Sequence, residues 1–126
     1  MNILYLAVGG ALGTLARFGM SGWVQARAGL FPWGTFSVNI AGALFVGFLF
    51  RYLQDVSAAS AWRAFLGIGF AGAFTTFSTL AFETVGLFQE GAWRAAAGYA
   101  LGSLVAGVVA VLAGAAAAAV LLRTGG

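Results

Sequence analysis

The sequence contains no cysteine, no histidine and no lysine, and a single proline among 126 residues. The missing cysteine excludes disulfides and thiolate metal sites. The missing histidine removes imidazole ligands and nearly every nucleophile–base pair. Charge is also scarce, at 7% of residues, where an ordinary soluble domain carries about 25%. The six basic residues are all Arg and lie scattered. They make no stripe for nucleic acid and read as membrane-edge anchors. No enzyme chemistry is expected from such a side-chain inventory.

What is present is apolar: 62% of the chain is hydrophobic. A soluble fold of this size would have nothing to cover its surface, so the chain reads as one all-α membrane domain over residues 1–126. No basic n-region precedes the first apolar run, which is therefore read as structure rather than as a signal peptide.

A spanning helix needs about 20 mostly apolar residues. Four segments qualify, from about Ile3 to Val24, Trp33 to Leu53, Trp62 to Phe88 and Trp93 to Leu122. The joints are short: Gln25 to Pro32, with Arg27; Gln54 to Ala61, with Asp55 and two serines; and Gln89 to Ala92. Trp23, Trp33, Trp62 and Trp93 stand at the ends, where amphipathic rings favour the headgroup level. Four spans put both termini on one side. Arg51, Arg63 and Arg123 fall with the termini, and Arg17, Arg27 and Arg94 fall opposite. Lys/Arg imbalance sets orientation, and this balance predicts insertion both ways up. The matching assembly is an antiparallel homodimer with a two-fold axis in the membrane plane. The pairs Gly9–Gly13, Gly98–Gly102 and Ser103–Gly107 have small-xxx-small spacing, which suits close helix contact within a subunit or between two.

The few polar residues at depth are functional candidates by default, because each is costly there. Asn39 shares a helix face with Thr35 and Gly42. It can donate to a ligand or join helices. The third span carries GFAGAFTTFSTLAFE, with Thr75, Thr76, Ser78 and Thr79 crowded together. Gly67, Gly69 and Gly72 precede them, and both Gly and Thr weaken a helix. Two arrangements are open: a break near Gly72–Thr76 with carbonyls given to a small cation, or an intact helix whose threonines bond back to i−4 carbonyls. Phe70, Phe74 and Phe77 fall on one helical stripe, suited to packing or to presenting electropositive ring edges to an anion. Tyr99 and Ser103 are an i, i+4 pair in the fourth span. Together Asn39, Thr76, Ser78, Thr79, Tyr99 and Ser103 offer a neutral line of donors. Such a line lets an anion both enter and leave. Arg17 and Glu83 are the charges nearest the interior. Arg17 suits a pore mouth or snorkelling, and Glu83 suits the pore lining or an ion pair.

These residues carry a resemblance. GGALGTLARF with Arg17, WGTFSVNIAG with Asn39, and GFAGAFTTFSTLAFE resemble the three signature blocks of the Fluc or CrcB fluoride channel family. Tyr99-x-x-x-Ser103 resembles the fourth helix of that family. The resemblance covers essentially the whole chain. It implies a dual-topology antiparallel homodimer in the bacterial inner membrane, with two fluoride pores. It also implies a central sodium ion held at a break in the third helix by the carbonyls of Gly72 and Thr75. The implied pathway residues are Asn39, Phe77, Ser78, Thr79, Tyr99 and Ser103, with Arg17 and Glu83 near its ends. The implied activity is passive fluoride efflux that lowers fluoride toxicity. Two positions depart from the family pattern. Leu80 stands where a second Phe is usual, leaving Phe82 or Phe74 to rebuild the aromatic site. Gly107 stands where some members carry Ser.

Two rivals belong to other classes. A small dual-topology proton-coupled exporter needs an embedded acid early in the chain, and the first two spans hold no Asp or Glu. A structural membrane subunit would carry no flux of its own.

Overall fold

The computed structural model describes residues 3–54 and 59–125. Apolar runs uninterrupted by proline give α1 (Ile3–Gln25) and α2 (Trp33–Tyr52). The third run begins with α3 (Ala59–Trp62) and continues as a π-helical stretch, Arg63–Ala71. It then becomes α4 (Gly72–Phe74) and, beyond two non-helical residues, α5 (Phe77–Gln89). The last element is α6 (Trp93–Thr124). Among the described residues there is no strand. Four spans are long and apolar enough to cross a bilayer: Ile3–Gln25, Trp33–Tyr52, Ser60–Gln89 and Trp93–Thr124. Their ends fall within two residues of those expected from hydropathy and tryptophan placement. Asp55 and Ser57, in the second joint, lie outside the described residues.

Glycine sets which spans touch. A Cβ on Gly47 would overlap the Val111 carbonyl, and one on Gly114 would overlap the Leu44 carbonyl. The backbones of α2 and α6 therefore meet directly, as small residues in membrane helices allow. On the other side of the subunit, Gly9 lies against the Phe65 carbonyl and Gly13 against the Phe70 carbonyl. Gly9–Gly13 is thus a contact inside one subunit. Gly98, Gly102 and Gly107 have nothing within 4 Å of a Cβ position, so the other two small-residue pairs hold no comparable contact in the chain.

Two short connections fix how the spans return. Gln25 closes the first: its amide donates to the carbonyls of Gly29 (3.0 Å) and Phe31 (3.1 Å) and accepts from Gly34 N (2.9 Å). One side chain thereby folds the loop and satisfies an orphan amide at the start of α2. The second connection follows α5. Ala92 N donates to Leu87 O (2.9 Å) and Gly91 N to Phe88 O (3.0 Å), with Gly91 at φ 80°. This is a Schellman cap, and its left-handed residue is glycine because a Cβ there is costly. The turn lays α6 against α5 through Leu87, Ala96 and Tyr99.

The arginines divide by role. Arg27 stacks over Trp23 at 4.0 Å and Arg94 over Trp93 at 5.5 Å, as expected of anchors at a membrane edge. Arg17 does not: it reaches across to the third span.

Candidate functional site

The site is organised around Thr75 and Thr76, which separate α4 from α5. Thr75 has φ −90°, ψ 159° and Thr76 has φ −150°, ψ 116°, both extended. Extended backbone inside an apolar span leaves amides and carbonyls that need partners. The protein supplies several from its own side chains. Asn39 Nδ2 donates to Thr76 O (3.2 Å), and Thr76 N donates to Asn39 Oδ1 (2.8 Å). One carboxamide thus pairs with both backbone groups of one residue, as a neighbouring strand would. Arg17 Nε donates to Ala73 O (3.0 Å). Thr76 caps α5: its Oγ1 accepts from Thr79 N (3.2 Å) and donates to Thr79 Oγ1 (2.9 Å). Thr75 Oγ1 bonds back to Ala71 O (3.1 Å), the i−4 alternative weighed from sequence.

These diversions single out two carbonyls. In a continuous helix Gly72 O would receive Thr76 N–H, and Thr75 O would receive Thr79 N–H. Thr76 N–H goes instead to Asn39, and Thr79 N–H to the Thr76 hydroxyl. Ala73 O and Thr76 O, in contrast, are taken by Arg17 and Asn39. Gly72 and Thr75 are left with oxygen lone pairs suited to a hard monovalent cation, as unwound carbonyls in membrane spans are.

A cavity of about 760 Å³ lies beside this turn, walled by α2, α5 and α6. Asn39, Thr76, Phe77, Leu80 and Ser103 line it, with Gly42 and Gly107. Gly42 is required where it stands, because a Cβ would overlap the Thr75 methyl group. Asn39 keeps one N–H after serving Thr76 O, since a carboxamide has two. Ser103 is 7% exposed, and its Oγ is buried with no hydrogen-bond partner. It does not bond even to the i−4 carbonyl that a helical serine normally finds.

The other expected site residues stand elsewhere. Tyr99 is 1% exposed and donates to Glu83 Oε1 (2.9 Å), with Thr35 beside its hydroxyl. Phe31 packs edge-on to the Tyr99 ring, centroids 5.4 Å apart. Tyr99 thus spends its donor on a carboxylate. Thr79 is tied to Thr76. Ser78 is on the exposed side of α5. In the single chain, then, Asn39, Phe77 and Ser103 share a cavity, Tyr99 and Glu83 form a separate pair, and Arg17 meets α4.

The phenylalanine stripe needs correction. Phe70 and Phe74 stack at 5.8 Å and 11°, and Phe45 meets Phe70 edge-on at 6.0 Å. Phe77 does not join them and is 82% exposed. A helical stripe assumes helical backbone throughout, and Thr75 and Thr76 rotate everything beyond them. Phe74, being buried, has no free edge to replace the ring missing at Leu80, and Phe82 is 80% exposed. Leu80 itself packs against the Leu87–Tyr99 cluster. Sequence reasoning overlooked Thr84, which also lines the cavity and donates to Leu80 O (2.7 Å). Its spacing from Phe77 and Leu80, i+7 and i+4, was the available signal.

Comparison with known proteins agrees with this architecture. A protein named fluoride-specific ion channel FluC from Nitratidesulfovibrio vulgaris is 48% identical over 109 residues, covering 85% of this chain and 88% of the relative. A namesake from Thermus thermophilus is 43% identical, with 84% of each chain covered. Another from Desulfotalea psychrophila is 40% identical, covering 90% of this chain and 89% of the relative. With four apolar spans and relatives of this kind, the chain is a multi-pass protein of the bacterial inner membrane, of a transport rather than an enzyme family. The family model described as CrcB-like protein, Camphor Resistance (CrcB), matches residues 4–115, and the chain belongs to that family.

Proposed function

We propose that the protein is a fluoride-selective channel that lets cytoplasmic fluoride leave passively, lowering its toxicity. The observation that carries this reading is the buried, unpartnered hydroxyl of Ser103, a residue that lines one cavity with Asn39 and Phe77. A buried donor left unmet costs about 1–3 kcal/mol, and a small anion passing the cavity would satisfy it. Phe77 would add a ring edge, which is electropositive without carrying a formal charge. Neutral donors replace part of the hydration shell yet hold the ion weakly enough for release. An inside-negative potential supplies about 2.3 kcal/mol per charge per 100 mV for outward movement. In this reading Ser78 and Thr79 flank the pathway, and the Tyr99–Glu83 pair and Arg17 border it while held by the partners described above.

The working unit is an antiparallel homodimer of dual topology. Its supports are the near-equal division of the edge arginines, Arg51, Arg63 and Arg123 against Arg27 and Arg94, and the open glycines of α6. A sodium ion would sit at the dimer axis, beside the non-helical turn of the third span. The carbonyls of Gly72 and Thr75 would hold it, and their diverted helical partners are the support for this assignment. The ion's part would be structural, supplying positive charge to carbonyls that have lost their helical donors.

Purified protein in liposomes with a fluoride electrode tests the reading. Fast fluoride release without a proton gradient is expected, with chloride retained. Release only under a pH gradient would assign a proton-coupled exporter instead, and no release from well-formed dimers would assign a structural subunit.

A further inference from the structure

The extended turn is held from two sides by side chains far away in sequence. Asn39 of α2 takes both the N–H and the C=O of Thr76, and Arg17 of α1 takes the Ala73 carbonyl. Ala73 lies between the two residues whose carbonyls are left over, Gly72 and Thr75. An uncapped Ala73 carbonyl in an apolar span would seek a partner of its own, and the amides nearest to it are those of the same turn. Satisfying it from outside keeps the turn from closing into helix.

We propose that Arg17 is a positioning residue for the cation-holding turn, capping Ala73 so that the Gly72 and Thr75 carbonyls stay presented. The proposal rests on the sodium assignment above and gives Arg17 a task separate from attracting anions. The Nε–H suits this task. It is the donor nearest the stem, so the guanidinium ends remain directed elsewhere while the carbonyl is held. The effect on cation affinity has a definite sign. Arg17 carries a positive charge near the turn, so by Coulomb repulsion alone its removal would strengthen sodium binding. As a cap, its removal weakens that binding. The two effects oppose, and the direction of change decides between them.

The test uses purified dimer, with the thermal unfolding midpoint followed across a sodium chloride series at constant ionic strength, potassium replacing sodium. The wild type is expected to gain stability saturably with sodium. Arg17→Met, close in length and without donor or charge, is expected to raise the half-saturating sodium concentration about fivefold or more. Arg17→Lys keeps the charge and a donor in a poorer position, and is expected to fall between. It also serves if the Met variant does not assemble. A purely structural loss would lower the midpoint at every sodium concentration and leave half-saturation in place. Unchanged or lowered half-saturation in both variants, with a sodium-dependent wild type, overturns the role of Arg17 alone. A wild type indifferent to sodium overturns this proposal together with the sodium assignment.

Discussion

Two stretches of one face of α6 make opposite use of glycine. Along the seam with α2, Gly114 is closed against the Leu44 carbonyl and faces the same neighbourhood as Gly47 on Val111. Two turns earlier on that face, Gly107 has no neighbour within 4 Å of a Cβ position, and Ser103 one turn before it has a buried hydroxyl without a partner. The residue type is the same, but one stretch meets α2 backbone to backbone and the other does not. In a membrane, lipid can cover apolar surface at no penalty, but it cannot meet a buried hydroxyl. In the proposed reading that second stretch is the one that serves an ion, and the seam holds it in place.

Substitution in each stretch sharpens the contrast. Of the two glycines, the larger loss of stability is expected at the seam. Gly114→Ala drives a Cβ into a backbone carbonyl with no side chain able to yield, costing about 2–3 kcal/mol. Denaturation in detergent would measure it, and a loss below that of Gly107→Ala would break the comparison. The largest loss of function is expected at the cavity. Asn39→Ala removes the carboxamide that braces Thr76 and lines the cavity, and a fall in fluoride flux well beyond about tenfold is expected, with dimers retained. Near-normal flux would remove Asn39 from the pathway. Ser103→Ala is expected to lower flux about tenfold while raising stability by about 1 kcal/mol or more, because it removes an unpaired buried hydroxyl and the desolvation cost that goes with it. A marked loss of stability there would mean that the hydroxyl has a partner in the assembled channel. The smallest effect is expected from Gly107→Ser, which has room for its side chain and extends the donors of α6 by one turn. A rise of about twofold in liposome flux is expected, and a fall would show that the open space is needed as space.

Sequence reading reached the spans because the signals were local. Hydropathy, four terminal tryptophans and the single proline bound them without any knowledge of contacts. It also reached Asn39 and Ser103, since uncharged polar groups stand out in an apolar background. It failed where the answer lay across the fold. Nothing within α2 tells that Asn39 pairs with a peptide 37 residues away, or within α1 that Arg17 reaches one 56 residues away. The Phe70–Phe74–Phe77 stripe misled because a period of 3.6 has meaning only while the backbone is helical. The π-helical course of Arg63–Ala71 left no mark beyond glycine density, which served equally well for a weakened α-helix.

The meeting of α1 with that wider helix has a consequence of its own. Gly9 and Gly13 are four residues apart, while the carbonyls they rest on, Phe65 and Phe70, are five apart. The two spans mesh like a vernier, with unequal graduations that coincide at only a couple of marks. A slide of one notch along either span would bring a bulkier residue onto a carbonyl, so shape alone resists the slip and the Arg17–Ala73 hydrogen bond only adds to it.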